Sequence, residues 1–243
     1  MGPGVVMGSR SKIVLALVFL AAGAARAEGP EARRVVVLDI GGANVPADLA
    51  RALSDVLVSA VRDQSAEGVT VIGQADVGAM LSLERQKDLL GCTDSSACLS
   101  EIGGALGASH LVAGSLGKIG TIFVITLRLI DTKKSEVVRH VSDRVEGKDE
   151  LLVEAVSQLA RSLIDPKRPI GQGFVTVRDA GALTIDGTVV QPAPVERLPL
   201  ARGSHEVALL DGKGKALWRQ RVDVAAYEVT VVTGAARSIP APQ

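Results

Sequence analysis

The chain has 243 residues, enough for one large domain or two modest ones. Hydrophobic residues make up 47% and charged residues 22%, a balance that supports a packed core and excludes a generally disordered chain. Its 27 basic residues equal its 27 acidic ones, so net charge gives no reason to expect a nucleic acid or an anionic membrane as partner.

Residues 1–27 read as a bacterial signal peptide. Arg10 and Lys12 form a short basic region, and Ile13 to Ala22 is an uninterrupted apolar run. Ala25-Arg26-Ala27 then places small residues, Ala25 and Ala27, at the two positions that signal peptidase reads. A spanning helix needs roughly 20 apolar residues, and this run is shorter. The competing reading is an uncleaved N-terminal anchor. No Cys follows the run, so no lipid-modified N-terminus is expected. Cleavage after Ala27 leaves 24 basic and 27 acidic residues, a net charge of −3.

The next elements alternate. Arg33 to Ile40 is a β-branched run, apolar on both sides, as in a central buried strand. Gly41, Gly42, Asn44 and Pro46 are expected to end it. Leu49, Ala52, Leu53, Val56, Leu57, Ala60 and Val61 follow helical spacing and predict an amphipathic helix over 47–64. A short strand at Val69 to Ile72 precedes a weaker helix from about Ala75 to Leu90. Asp94, Ser95 or Ser96 can cap a helix from about Ala97 to Leu106, which Gly103, Gly104 and Gly107 keep short. Ser109–Leu116, Thr121–Asp131 and Glu136–Glu146 then favour strand, joined by turn-forming residues as an antiparallel meander. A last helix carries Leu152, Ala155, Val156, Leu159, Ala160 and Leu163 on one stripe, and Pro166 stops it.

Residues 166–172, with two prolines, read as a linker. Beyond it nothing has helical period. Phe174–Arg178, Ala182–Ile185, Ser204–Leu210, Ala216–Val224 and Glu228–Val232 read as short strands, with hairpin turns at Asp186-Gly187 and Asp211-Gly212. This predicts an all-β antiparallel module over 173–234 and a disordered tail over 235–243. The fold class expected is therefore α+β: an α/β sandwich with a mixed sheet over 28–165, followed by a small β module. Few contacts should cross the linker, which should be open to proteases near Lys167 and Arg168.

Cys92 and Cys98 bracket a polar turn and are the only two cysteines, which in an exported chain points to a structural disulfide. Closing so short a loop stabilises by about 2.4 kcal/mol on the chain-entropy relation. A metal site lacks ligands, because the histidines are only His110, His140 and His205, and a redox pair is more often spaced C-x-x-C. No metal and no cofactor are expected.

The stretch Leu38-Asp39-Ile40-Gly41-Gly42-Ala43-Asn44 resembles the phosphate loop of actin-like sugar kinases. It leads through Pro46 into a helix rather than a second strand, and the chain is too short for two actin-like lobes. The simpler reading is a strand-to-helix turn needing glycine. Ser115 lies outside any nucleophile-elbow motif, and no catalytic residue is assigned. Phe174, Trp218 and Tyr227 lie in the β module, where they form either a contact patch or the module's core.

A family resemblance is carried by Leu83 to Cys92, by Cys98-Leu99-Ser100-Glu101-Ile102-Gly103-Gly104-Ala105-Leu106-Gly107-Ala108 and by Leu111-Val112-Ala113-Gly114-Ser115. With the element order over 33–165, they resemble the α/β domain shared by the N-terminal part of TolB and by curli-type outer-membrane secretion proteins. Residues 173–233 resemble a PEGA module through Ala182 to Gly187, Pro194, Leu200 and Gly203 to Val207, although the literal Pro-Glu-Gly-Ala string is absent. The chain has no repeat array for a β-propeller, no lipidated Cys and no convincing pair of membrane-spanning strands. The resemblance implies a non-enzymatic periplasmic or envelope adaptor whose partners are envelope proteins, with peripheral contact to the outer membrane or cell surface as an option. The alternative it implies is an accessory subunit of an outer-membrane secretion or transport complex.

Overall fold

The computed structural model describes residues 1–2, 33–80 and 96–234. The signal-peptide positions Ala25 and Ala27, Cys92 and the tail 235–243 lie outside the described residues, as does most of the helix expected up to Leu90.

In the α/β lobe, β1 (Arg33–Ala43), α1 (Ala47–Gln64), β2 (Val69–Gly73) and α2 (Gln74–Met80) come first. They are followed by α3 (Ser96–Ala105), β3 (His110–Ile119), β4 (Ile122–Asp131), β5 (Glu136–Glu146) and α4 (Leu151–Ile164). The sheet order is β2-β1-β3-β4-β5. β1 runs parallel to β2 and β3, and β3, β4 and β5 form the antiparallel meander, so the sheet is mixed as expected.

β1 is buried on both sides because helices lie on both faces. Val35, Val37 and Ile40 join α1 and α4 in one cluster with Leu53, Leu57, Phe123, Leu127, Leu152 and Leu159. Val36 and Leu38 join α2 and α3 in the other, with Val77, Leu99 and Ile102. A register shift between Val37 and Ile40 lets both of these residues face the first cluster. Ser54 serves the irregularity: its Oγ accepts the Ile40 N–H at 2.8 Å and donates to Ala50 O at 2.8 Å. Helical spacing alone favours Ala52 on the buried stripe, but Ala52 is exposed and Ser54 is buried. Ser54→Ala strands a buried N–H and is expected to lower stability by about 1–3 kcal/mol in denaturant titration. A loss below a few tenths would mean that water replaces the hydroxyl.

α3 ends where the sequence placed its glycines. Gly107 has φ 66°, the Ala108 N–H donates to Gly103 O at 2.9 Å, and the Gly107 N–H donates to Gly104 O at 3.0 Å. This is a Schellman termination, which uses glycine for its left-handed residue.

The second lobe contains β6 (Gly173–Ile185), β7 (Thr188–Leu200), β8 (Gly203–Leu210), β9 (Ala216–Val224) and β10 (Val229–Val232). Three expectations are corrected here. The two strands read at 174–178 and 182–185 are one thirteen-residue strand, β6. β7, which is not among the strands expected, runs through Gln191-Pro192-Ala193-Pro194. The sheet is not purely antiparallel, because β10 pairs in parallel with β6. Asp186 and Gly187 form the expected tight turn, both with positive φ, 50° and 80°. Gly173 is required by proximity: a Cβ there would lie 2.1 Å from Ala225 O.

The segment 166–172 does not behave as a sparsely contacted linker. Ile170 and Ala226 pack on the α1/α4 cluster, and Tyr227 belongs to it. Residues 32–243 form one compact unit.

Candidate functional site

A set of side-chain hydrogen bonds and ion pairs joins the two lobes. One half of it lies on β5 and the β9–β10 loop. Tyr227 is 4% exposed, with its ring inside the α/β core, and its hydroxyl donates to Asp143 Oδ2. Its own N–H donates to Gln172 O at 2.9 Å. Burial first, and then the Asp143 hydrogen bond and charge, push the phenol far above its usual pKa, so it remains a neutral donor. Tyr227 also sits at φ 67°, a conformation that side chains adopt when their surroundings impose it.

The other half lies on α4. Gln158 is 2% exposed and grips Gln172 reciprocally: its Nε2 donates to Gln172 O at 2.9 Å, and its Oε1 accepts the Gln172 N–H at 2.9 Å. One turn earlier, Glu154 accepts from Arg161 Nη2 at 2.9 Å and from Arg197 Nη2 at 2.9 Å. Arg197 lies on β7 with its guanidinium 4.1 Å from the centroid of the Phe174 ring. Residues far apart in sequence thereby tie both segments of the β lobe to one helix and one strand of the α/β lobe.

The three aromatic residues singled out by sequence do not share an exposed patch. Phe174 is 8% exposed, under Arg197. Tyr227 is in the α/β core. Trp218 is half-buried against the β-lobe core and donates from Nε1 to Asp179 Oδ2 at 3.0 Å. Cys98 is half-buried on α3 against the second cluster and is not free. No signal in the sequence pointed to Gln158, Gln172, Asp143 or Arg197, because each acts through a partner tens of residues away.

The residues weighed for chemistry in the sequence are spread over separate elements. The Gly41-Gly42 stretch is not a free loop: Gly41, Gly42 and Ala43 continue β1 opposite Ser115, Leu116 and Gly117. Asp39 is held above the ordinary carboxylate range by burial and then by Asp55, with Arg51 opposing. His110, His140 and His205 lie on β3, β5 and β8, and His205 Nδ1 is 2.7 Å from Asp186 Oδ2 at the β6–β7 turn. Among the described residues no group of three or more His, Cys, Asp or Glu is placed to hold a metal. None of their helices is long and apolar enough to cross a membrane.

No family model and no curated protein matches the chain. Among solved structures it is similar to the PelC dodecamer from Paraburkholderia phytofirmans, at 14% identity and TM-score 0.36, over 58% of this chain and 92% of that one. It is also similar to the C-terminal domain of LpoB from Escherichia coli, at 16% identity and TM-score 0.36, over 50% and 88% of the two chains. TolB from Acinetobacter baumannii is similar at 12% identity and TM-score 0.35, over 81% of this chain and 39% of that one. The PEGA resemblance of residues 173–233 has no counterpart in these comparisons and rests on the residues alone.

Proposed function

We propose that this chain is an exported, non-enzymatic adaptor of the bacterial envelope. On this reading residues 1–27 are removed, residues 28–165 bind an envelope protein, and residues 173–234 contact a second partner or a surface. The observation that carries it is the joint: two lobes of different architecture are held in one orientation by Tyr227, Gln158 and Arg197. A partner bound to one lobe is then fixed in place relative to a partner on the other, which is what an adaptor requires. Crosslinking of the mature protein in the periplasm, followed by capture, should recover envelope proteins from each lobe. Recovery from one lobe alone would remove the adaptor reading. A native mass showing a membrane-bound ring would favour the secretion-complex alternative.

The proposal includes a Cys92–Cys98 disulfide in the oxidising compartment. Intact mass of the exported protein should be two hydrogens below that of the reduced chain. Labelling of both thiols in native protein would contradict the pairing, and export with it if residue 1 were also retained.

A further inference from the structure

Beyond the joint, the α/β lobe has a cleft of about 290 Å³ at the far end of its helix–sheet layer. It is lined by residues at the start of β1, β2 and β3 and by residues at or just after the ends of α1 and α4. Its floor is apolar: Val35, Val69, Leu129 and Ile164 line it, and all four belong to or pack on the main core. The mouth carries Arg33, His110, Ser65 and Ser109.

The polar groups at the mouth divide sharply into occupied and spare. Ser65 Oγ donates to Val61 O at 2.8 Å, and Ser109 Oγ donates to Arg34 O at 3.1 Å. The carbonyls at the end of α4 are already answered by Arg139, whose Nη1 lies 2.6 Å from Leu163 O and 2.8 Å from Ile164 O. Asp131 lies opposite His110 in the β3–β4 register and interacts with it electrostatically, and its Oδ1 accepts the Lys133 and Lys134 N–H groups. Among the described residues one cationic donor at the mouth, the Arg33 guanidinium, is left without a hydrogen-bond partner. His110 Nδ1 meets Ser109 Oγ at 3.1 Å, and because that hydroxyl donates to Arg34 O the ring donates there from Nδ1. An apolar floor with a spare guanidinium at its rim selects a ligand with an aliphatic body and an anionic end.

We propose that this cleft binds a carboxylate-bearing aliphatic chain, the chain against Val35, Val69, Leu129 and Ile164 and the carboxylate at Arg33. The probe is octanoate, titrated into the mature protein and followed by the methyl NMR signals of Val69, Leu129 and Ile164, with octylamine as the control of reversed charge. Octanoate should give saturable shifts and octylamine should not. Arg33→Gln should weaken octanoate at least about tenfold, the scale of one charge-assisted hydrogen bond. Ala66→Trp, at an exposed rim position, should close the mouth and abolish the shifts with the melting temperature retained. Equal binding of octylamine, shifts that do not saturate, or unchanged affinity in Arg33→Gln would each overturn the proposal. Should Ala66→Trp fail to fold, the Arg33→Gln comparison decides.

Discussion

Replacing Tyr227 by Ala should lower stability by about 3–5 kcal/mol, the range for removing a large buried aromatic side chain. For a domain of this size that is a fall in melting temperature of roughly 6–20 °C. The expectation follows from where the ring lies: it comes from the β lobe but is buried in the core of the α/β lobe. Tyr227→Phe separates the two contributions. It keeps the packing and leaves the Asp143 carboxylate without its donor, which should cost about 1.5–3 kcal/mol. If Tyr227→Ala were no worse than a surface substitution, the ring would not be buried as described. Because the phenol is pushed far above its usual pKa, the contribution should stay constant from pH 6 to pH 9. In the folded state the proton stays on the phenol throughout that window, and below pH 9 the unfolded phenol near pH 10 keeps its proton too.

The second large effect is expected at Gln158. Gln158→Leu preserves approximate volume and removes both bonds to the Gln172 backbone. The Gln172 N–H loses its partner while its carbonyl keeps only the Tyr227 N–H, and the expected cost is about 1–3 kcal/mol, measured by chemical denaturation. Combined with Tyr227→Phe, the losses should be non-additive by more than about 0.5 kcal/mol, because the Gln172 carbonyl held by the Gln158 side chain also accepts the N–H of the residue whose hydroxyl is anchored on Asp143. Strict additivity would show that the two halves of the joint act separately.

What the sequence made legible was local. The stripe of Leu53, Leu57 and Val61 placed α1, and the alternation of Phe123, Ile125 and Leu127 placed β4, because both patterns are written in consecutive residues. Gly103 to Gly107 marked the end of α3 because a left-handed terminus favours glycine. β7 escaped because Pro192, Pro194 and Pro199 argue against a strand; they are tolerated because β7 pairs with β6 alone and lies at an edge. The parallel β6–β10 pair joins residues more than fifty apart, and no local pattern records it. The joint was invisible for the same reason. Tyr227 follows two alanines with no period around it, and a left-handed tyrosine leaves no mark comparable to glycine. The prolines of 166–172 truthfully signalled the end of α4, but a break in the chain is not a break in packing.

The central claim is that the two lobes act as one clamped body. Calorimetry of the mature protein before and after trypsin cleavage at the exposed Lys167 and Arg168 tests it most directly. The intact chain should unfold in a single transition, and after cleavage the two fragments should remain associated and still melt together at a lower temperature. Two separate transitions in the intact chain, or fragments that part on gel filtration under native conditions, would contradict it.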